Sequence, residues 1–170
     1  MTEPSSNELR EGIAALLPRL RRFGRTLARN TEDADDLVQI AVERALTHTE
    51  QWRPGTRLDS WIFRIMQNAW IDETRARERR SQTFVAEDAA ENIGTSTNDA
   101  QMDAIAVHKA VAQLSDDQRV VVGLVLVEGF SYQEAADVLD IPVGTLTSRL
   151  ARARDALQAL LTGTTHGVHP

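Results

Sequence analysis

Apolar residues recur every three or four positions along most of the chain, which is the spacing of one face of an α-helix. The first such stretch covers residues 9–27, and four arginines fill its other face between residues 19 and 25. It predicts an amphipathic helix, or a pair of helices divided near Pro18. The apolar face consists of Leu9, Ile13, Leu16, Leu20, Phe23 and Leu27.

Two more helices are predicted before residue 82. Thr31 is suited to cap the first, because its hydroxyl can accept a hydrogen bond from the free N–H groups of the first turn. A turn at residues 54–55 separates it from a long helix, which opens with a capping pair, Thr56 and Asp59, and runs to about Arg80. The inner face of the shorter helix is Ala34, Leu37, Val38, Ala41, Val42 and Ala45.

The periodicity stops after residue 80 and returns at about residue 102. The segment between is acidic and rich in turn-forming residues, a composition typical of a flexible linker. A further helix is expected near 105–114, and Ser115 with Gln118 forms a capping box before the apolar run 120–127. That run is rich in valine and fits a strand on periodicity alone, but its cap and the closing Gly129 favour a helix.

Residues 131–161 predict two helices across a short connection, the arrangement of a helix-turn-helix. A capping box at Ser131 and Glu134 opens the first helix, and Thr145 starts the second. The outward face of the second helix suits a major groove, because arginine bonds guanine edges and hydroxyls bond either base edge. It presents Thr147, Ser148, Ala151 and Arg152, with Arg149 and Arg154 on its flanks. A helical hairpin with a solvated arginine face is the alternative.

The long helix carries a second set of candidate nucleic-acid contacts. Arginines interleaved with aromatic rings suit separated DNA strands, because the cations follow phosphates and flat rings stack on bases. The alternative is that Trp61 and Trp70 are core residues. One stripe of this helix holds Arg64, Asn68, Ile71, Arg75 and Arg79, with Trp61, Phe63 and Trp70 nearby.

The formal net charge of −6 argues against a nucleic-acid partner, but the distribution of charge changes that picture. Arginines cluster at 75–80 and 149–154, whereas acidic residues cluster at 32–36 and 87–103. Two basic patches on an acidic chain indicate two DNA contacts and an acidic surface for another partner.

Together these patterns predict an all-α protein of two small helical domains joined by a flexible acidic linker, the second domain containing the helix-turn-helix. We place the first domain at residues 1–82, the linker at 83–101, the second domain at 102–163 and a tail at 164–170.

Enzymatic chemistry has no support in the sequence. The chain has no cysteine, its four histidines are scattered, and metalloprotease, phosphate-loop and nucleophile-elbow motifs are absent. We therefore expect no catalytic residue, no metal site and no cofactor. The first residues lack a signal-peptide pattern, and no stretch approaches the roughly 20 apolar residues that a bilayer requires. A cytoplasmic protein without membrane insertion is expected.

Three groups of segments resemble the extracytoplasmic-function (ECF) group of the sigma-70 superfamily of RNA polymerase sigma factors. One group, 114–119, 128–136 and 142–154, resembles the domain that reads the minus-thirty-five element; Thr147 departs from it, since many relatives have Lys or Arg there. Residues 61–72 and 75–80 are similar to the segment that reads and opens the minus-ten element, and residues 33–39 to the polymerase-docking motif. Residues 54–56 and 129–134 are also similar to the general-stress branch of alphaproteobacteria.

The resemblance implies a sigma factor that docks on core RNA polymerase, reads promoter DNA at both elements, needs no cofactor and is held inactive by an anti-sigma factor. The implied docking residues are Asp35, Asp36, Leu37, Val38, Gln39 and Glu43, of which Asp36, Gln39 and Glu43 are expected on the outer face. The implied minus-ten residues are Arg64, Asn68, Trp70, Ile71, Arg75 and Arg79, with Asn68 helping to hold a flipped base. The implied minus-thirty-five residues are Thr145, Thr147, Ser148, Arg149, Ala151, Arg152 and Arg154.

Two other binding functions stay open at this point. A helix-turn-helix regulator that works without polymerase leaves the arginine-rich long helix and the acidic motif unexplained. A sigma-like decoy that binds an anti-sigma protein has no need of basic DNA faces, which this chain keeps. Taken from the residues alone, the acidic motif fits a solvated helix start that is stabilised by the helix dipole.

Overall fold

The structure is a computed structural model that describes residues 5–82 and 99–165. Within those ranges the chain is helical and contains no strand, so the all-α prediction is confirmed. Most of the predicted linker and the tail from residue 166 lie outside the described residues. The helices are α1 Ser6–Leu27, α2 Thr31–Thr47, α3 Leu58–Ser81, α4 Asp99–Ala112, α5 Asp116–Val122, α6 Tyr132–Leu139 and α7 Val143–Thr165, with a 3₁₀ turn at Thr49–Gln51 and a π turn at Gly123–Val127.

The N-terminal arginine-rich stretch is one helix, not a divided pair. Pro18 lies inside α1 and cannot donate a backbone hydrogen bond, yet the helix continues for nine residues beyond it. The apolar positions on both sides of the proline are buried on one face, from Leu9 to Leu27. Packing of that common face therefore outweighs the local cost of the proline.

The residues predicted to cap two of the helices are wrong, and α7 begins at Val143, two residues before the predicted start at Thr145. Asn30, not Thr31, caps α2, because its Oδ1 accepts a 2.7 Å hydrogen bond from the backbone N–H of Asp33. The pair Thr56 and Asp59 does not cap α3, which begins at Leu58 without a side-chain cap. The Thr56 hydroxyl donates instead to the carbonyl of Arg53. The Asp59 carboxylate accepts hydrogen bonds from Arg19 and Arg57.

The two later capping boxes are confirmed at Ser115 and Ser131. The valine-rich run forms helix, as predicted, but widens into a π turn from Gly123. Gly123 lies close to α1, since a Cβ there would sit 2.8 Å from a ring carbon of Phe23. Gly129 follows with a φ of +74°, a conformation that glycine adopts without strain.

The two halves of the chain share one connected cluster of buried residues. Phe23 of α1 and Phe63 of α3 come from the first half, and Phe130, which precedes α6, comes from the second. Their ring centroids are 5.2 Å apart from Phe23 to Phe63 and again from Phe63 to Phe130. The second half of the chain is therefore packed directly on the first half in this structure.

Candidate nucleic-acid interface

The helix-turn-helix is held by small residues and by a left-handed residue at its turn. Ala135 and Ala136 of α6 are fully buried, which lets α6 approach the buried Leu146 and Leu150 of α7. Asp140 ends α6 with a φ of 53°, and the N–H of the next residue donates to the carbonyl of Ala136 at 3.1 Å. The turn thereby fixes the direction in which α7 leaves.

The predicted minus-thirty-five face of α7 is open to solvent. Five of its residues are exposed, whereas Thr145 and Arg149 are half-buried. No ion pair found in residues 5–82 and 99–165 involves an arginine of this face, so its cations are available to a partner. The exposed residues are Thr147, Ser148, Ala151, Arg152 and Arg154.

Thr147 has a local role as well as an exposed position. Its hydroxyl donates a 2.7 Å hydrogen bond to the carbonyl of Val143, one helical turn earlier. A bond of this kind holds the hydroxyl against its own backbone and away from a base edge.

The predicted minus-ten stripe of α3 is only partly open. Arg64, Asn68, Arg75 and Arg79 are exposed and Ile71 is half-buried. Arg64 nevertheless donates a hydrogen bond to the carbonyl of Asp137 in α6, which belongs to the other half of the chain. The N-terminal end of the stripe is thus in contact with the helix-turn-helix.

Trp70 lies inside the protein, with only 4% of its surface exposed. It borders a cavity of about 250 Å³ between α3 and the second half, together with Gln67, Ile71 and Arg149. Its indole Nε1 is buried without a hydrogen-bond partner among the described residues. In this arrangement the ring does not present a stacking surface to DNA.

The predicted docking residues on α2 divide between two faces. Asp35, Asp36, Gln39 and Glu43 are exposed, and none of the ion pairs seen in the described part of the chain involves them. Leu37 and Val38 are buried in the core, so they support the helix and do not reach its surface.

Asp33, at the start of the same acidic motif, has a structural partner. It accepts a 2.5 Å hydrogen bond from Arg77 of α3 and another from Asn30. Burial disfavours the charge on Arg77, but the bond and attraction to Asp33 outweigh that cost and raise the pKa of the guanidinium. Asp33 therefore joins α2 to α3, whereas Asp35 and Asp36 of the same motif are exposed.

Two models of known families match this architecture, Sigma-70 region 2 over residues 13–80 and Sigma-70 region 4 over residues 104–157. The chain is 36% identical to the ECF RNA polymerase sigma factor EcfG of Rhodopseudomonas palustris (strain TIE-1), over 93% of this chain and 87% of that protein. This chain is an ECF sigma factor. The predicted family is thereby confirmed.

Solved structures agree with the assignment. The sigma factor RpoE, in complex with the anti-sigma factor NepR from Bartonella quintana, matches with a TM-score of 0.77 and 32% identity, over 92% of this chain and 98% of that one. CnrH in complex with the cytosolic domain of CnrY matches with a TM-score of 0.69 and 25% identity, over 92% and 89%.

Sequence reasoning missed the residues that join region 2 to region 4 of this sigma factor. Arg19 and Arg22 of α1 bind Glu128, which is more than a hundred positions away, and Arg119 donates to the carbonyl of Leu27. No local pattern pairs charges over such distances. One indication in the sequence that Glu128 matters is that it begins a segment, 128–136, that resembles the family.

Within residues 5–82 and 99–165, no helix is long and apolar enough to cross a membrane. The same part of the chain contains no group of three or more histidine, aspartate or glutamate side chains that could hold a metal ion.

Proposed function

We propose that this sigma factor reads the minus-thirty-five element as duplex DNA with α7, opens the minus-ten element with α3, and docks on core RNA polymerase through the outer face of α2. The observation that carries the proposal is the exposed, unpaired face of α7 inside the region 4 match. Its side chains are the types that bond base edges and phosphates in a major groove. The chemistry of RNA synthesis then belongs to the polymerase, and the sigma factor contributes no catalytic residue.

The minus-ten assignment is supported by the exposed cations of α3. Arg75 and Arg79 lie on the outer side of the second half of this helix, beyond its contact with α6. Asn68 is exposed between the two ends of the stripe, where an amide can bond the edge of an unstacked base. Trp70 is buried here, so we assign it to the support of this surface while the two regions are in contact.

The polymerase dock is supported by the free carboxylates of α2. Asp35, Asp36 and Glu43 are exposed on one helix whose opposite face is buried. Such a row suits the basic side chains of a partner helix, because complementary charge fixes register and speeds association. Because a sigma factor acts on RNA polymerase, we propose the bacterial cytoplasm as its location.

An anti-sigma factor is the proposed inhibitory partner. The relative from Bartonella quintana is described in complex with NepR, and CnrH in complex with a domain of CnrY. Together with the similarity to EcfG, this supports a NepR-like partner and the general-stress branch for this chain. Affinity capture from native cells should recover such a protein at rest and less of it under stress; recovery of polymerase alone in both states would contradict the proposal.

Transcription with purified components tests the main proposal. Core polymerase and this chain are incubated with a pool of genomic promoter fragments, and the transcript starts are sequenced. Initiation at a defined promoter class is expected, with loss of transcripts for Arg152→Ala and no loss for Arg10→Ala, which removes an exposed arginine of α1 far from α7 in sequence. If only a control sigma factor initiates, the chain is a decoy or a regulator that works without polymerase.

A further inference from the structure

The contact between region 2 and region 4 covers part of the surface that we assign to minus-ten DNA. Arg64 of that surface donates to the carbonyl of Asp137, and Arg57, just before α3, forms an ion pair with Glu134 of α6. Between them α3 and α6 enclose a cleft that also contains Trp61 and Ile141. DNA that followed α3 past its N-terminal end would collide with the helix-turn-helix.

The centre of this contact is a buried carboxylate. The side chain of Glu128 is 0% exposed, although it carries a charge. Arg22 donates to both of its oxygens, at 2.8 Å and 2.9 Å, and Arg19 donates to one of them at 3.2 Å. Arg19 also reaches Asp59 of region 2 at 3.2 Å. A carboxylate withdrawn from water in this way is stable only while its cationic partners stay in place.

Aromatic rings surround the same group of charges. The guanidinium of Arg19 lies 5.2 Å from the ring centroid of Phe63 and 5.4 Å from that of Phe130, and Arg57 lies 5.6 Å from the ring of Phe130. Such distances allow cation–π attraction. Arg19 of region 2 thus contacts the Glu128 carboxylate and the rings of Phe63 and Phe130 at once, which requires one particular arrangement of the two regions.

The closed arrangement is incompatible with promoter binding at both elements. By their positions the two elements are about 25 base pairs apart, which is roughly 85 Å along a duplex with 3.4 Å per base pair. Here α3 and α6 are within hydrogen-bond distance of each other. The two regions must separate before both DNA faces can reach their elements.

We infer that the free sigma factor has an autoinhibited closed state, in which region 4 covers the start of the minus-ten surface and Glu128 is the latch that holds the two regions together. The inference rests on the proposed function of α3. In the closed state the minus-thirty-five face of α7 stays exposed, whereas α6 contacts the N-terminal end of the minus-ten face at Arg64. The closed state therefore prevents opening of the minus-ten element but still allows α7 to bind minus-thirty-five duplex DNA.

A distance measurement on the full chain tests the latch. Because the chain has no cysteine, Glu11→Cys on α1 and Gln158→Cys on α7 provide two exposed positions for a pair of fluorophores. Glu128→Gln removes the charge and keeps the size of the side chain, so energy transfer should fall as the two regions separate. Glu50→Gln is the matched control, because its side chain is exposed and outside the contact.

Binding of a single-stranded minus-ten oligonucleotide, without polymerase, gives the functional result. If Glu128→Gln raises the open fraction from about a tenth to most of the molecules, the apparent affinity should rise about tenfold, because only the open state binds. The control should bind as the unchanged protein does. Unchanged energy transfer and unchanged affinity in a folded Glu128→Gln variant would overturn the latch.

A cross-linked chain tests the closed state even if Glu128→Gln does not fold. Arg57→Cys and Glu134→Cys replace two side chains that meet across the contact, and a short cleavable linker between them would hold the regions together. The linked protein should lose minus-ten binding and transcription with core polymerase, and cleavage of the linker should restore both. Full transcription by the linked protein would overturn the inference. Failure of the proposed function is distinguishable, since the unlinked protein and the Glu50→Gln control would then not initiate either.

Discussion

Arg119 is the buried cation that joins the end of α1 to region 4, and its removal should destabilise the whole chain. Only 2% of the residue is exposed. Its Nη1 donates to the carbonyl of Leu27 at 2.6 Å, and its Nη2 donates to the carbonyl of Leu114 at 3.3 Å and to Asp116 at 3.1 Å. Both carbonyls lie at helix ends, where backbone acceptors lack partners within the helix.

The magnitude follows from these three bonds. A typical hydrogen bond contributes about 0.5–1.5 kcal/mol and a strong one from a charged donor about 1.5–3 kcal/mol. We therefore give the short bond to Leu27 about 2 kcal/mol and the two longer bonds about 1 kcal/mol each. Burial disfavours the cation and lowers the pKa of Arg119, with the nearby Asp116 opposing that effect only in part. Replacing Arg119 by alanine also removes the cost of burying the cation, which we set at about 1 kcal/mol. The three bonds contribute about 4 kcal/mol together, so Arg119→Ala should lower the free energy of unfolding by about 3 kcal/mol.

Urea unfolding followed by circular dichroism measures this loss. Arg119→Lys should give an intermediate value, because an ammonium has a charge but lacks the planar fork that bonds two carbonyls at once. Arg10→Ala, an exposed change on α1, should leave the unfolding free energy within about 0.5 kcal/mol of the original. A loss below about 1 kcal/mol for Arg119→Ala would refute the argument that this side chain satisfies the two helix ends.

Three further outcomes are expected. Arg152→Ala should weaken minus-thirty-five duplex binding by about 1–3 kcal/mol, whereas Asn68→Ala should spare that binding and impair opening of the minus-ten element; equal defects of the two variants on duplex DNA would contradict the division of labour. Asp36→Lys should weaken core binding in a filter or polarisation assay without unfolding the domain, and Glu50→Lys should not; unchanged affinity for Asp36→Lys would return the motif to a solvated helix start. Burial opposes ionisation of Asp59, but hydrogen bonds from arginines outweigh it and lower its pKa below 3.8, so the ionised group stabilises the fold above that pH. The stability difference between the original chain and Asp59→Asn should therefore be complete above about pH 5 and shrink below about pH 4 in urea titrations; a difference that grows on acidification would contradict it.

Local patterns predicted most of the helices, because helix formation here depends on neighbours in sequence. The capping boxes at Ser115 and Ser131 each need only a hydroxyl and an amide or carboxylate three residues later. The exposed face of α7 followed from the 3.6-residue period once its buried leucines were recognised. These features need no knowledge of the rest of the chain.

The errors occurred where distant residues decide the outcome. Asp59 looked like part of a cap, but it faces Arg19 of another helix across 40 positions. Pro18 looked like a possible helix break, but burial of residues on both sides keeps α1 continuous. Trp70 was weighed as a base platform or a core residue, and the second half of the chain buries it here. Each of these depends on which helices pack together, which a one-dimensional pattern does not contain.

The negative net charge of this sigma factor is compatible with DNA binding because acids and arginines are paired unevenly over its surface. In the described part of the chain, ion pairs engage arginines of region 2 and the buried Arg119 with carboxylates such as Glu128. The arginines on the outward face of α7, in contrast, have no such partner there. Phosphate binding depends on cations that are free at the contact, and paired arginines add little to it. Addition of residue charges over the whole chain, which gives −6, therefore underestimates the attraction of α7 for DNA.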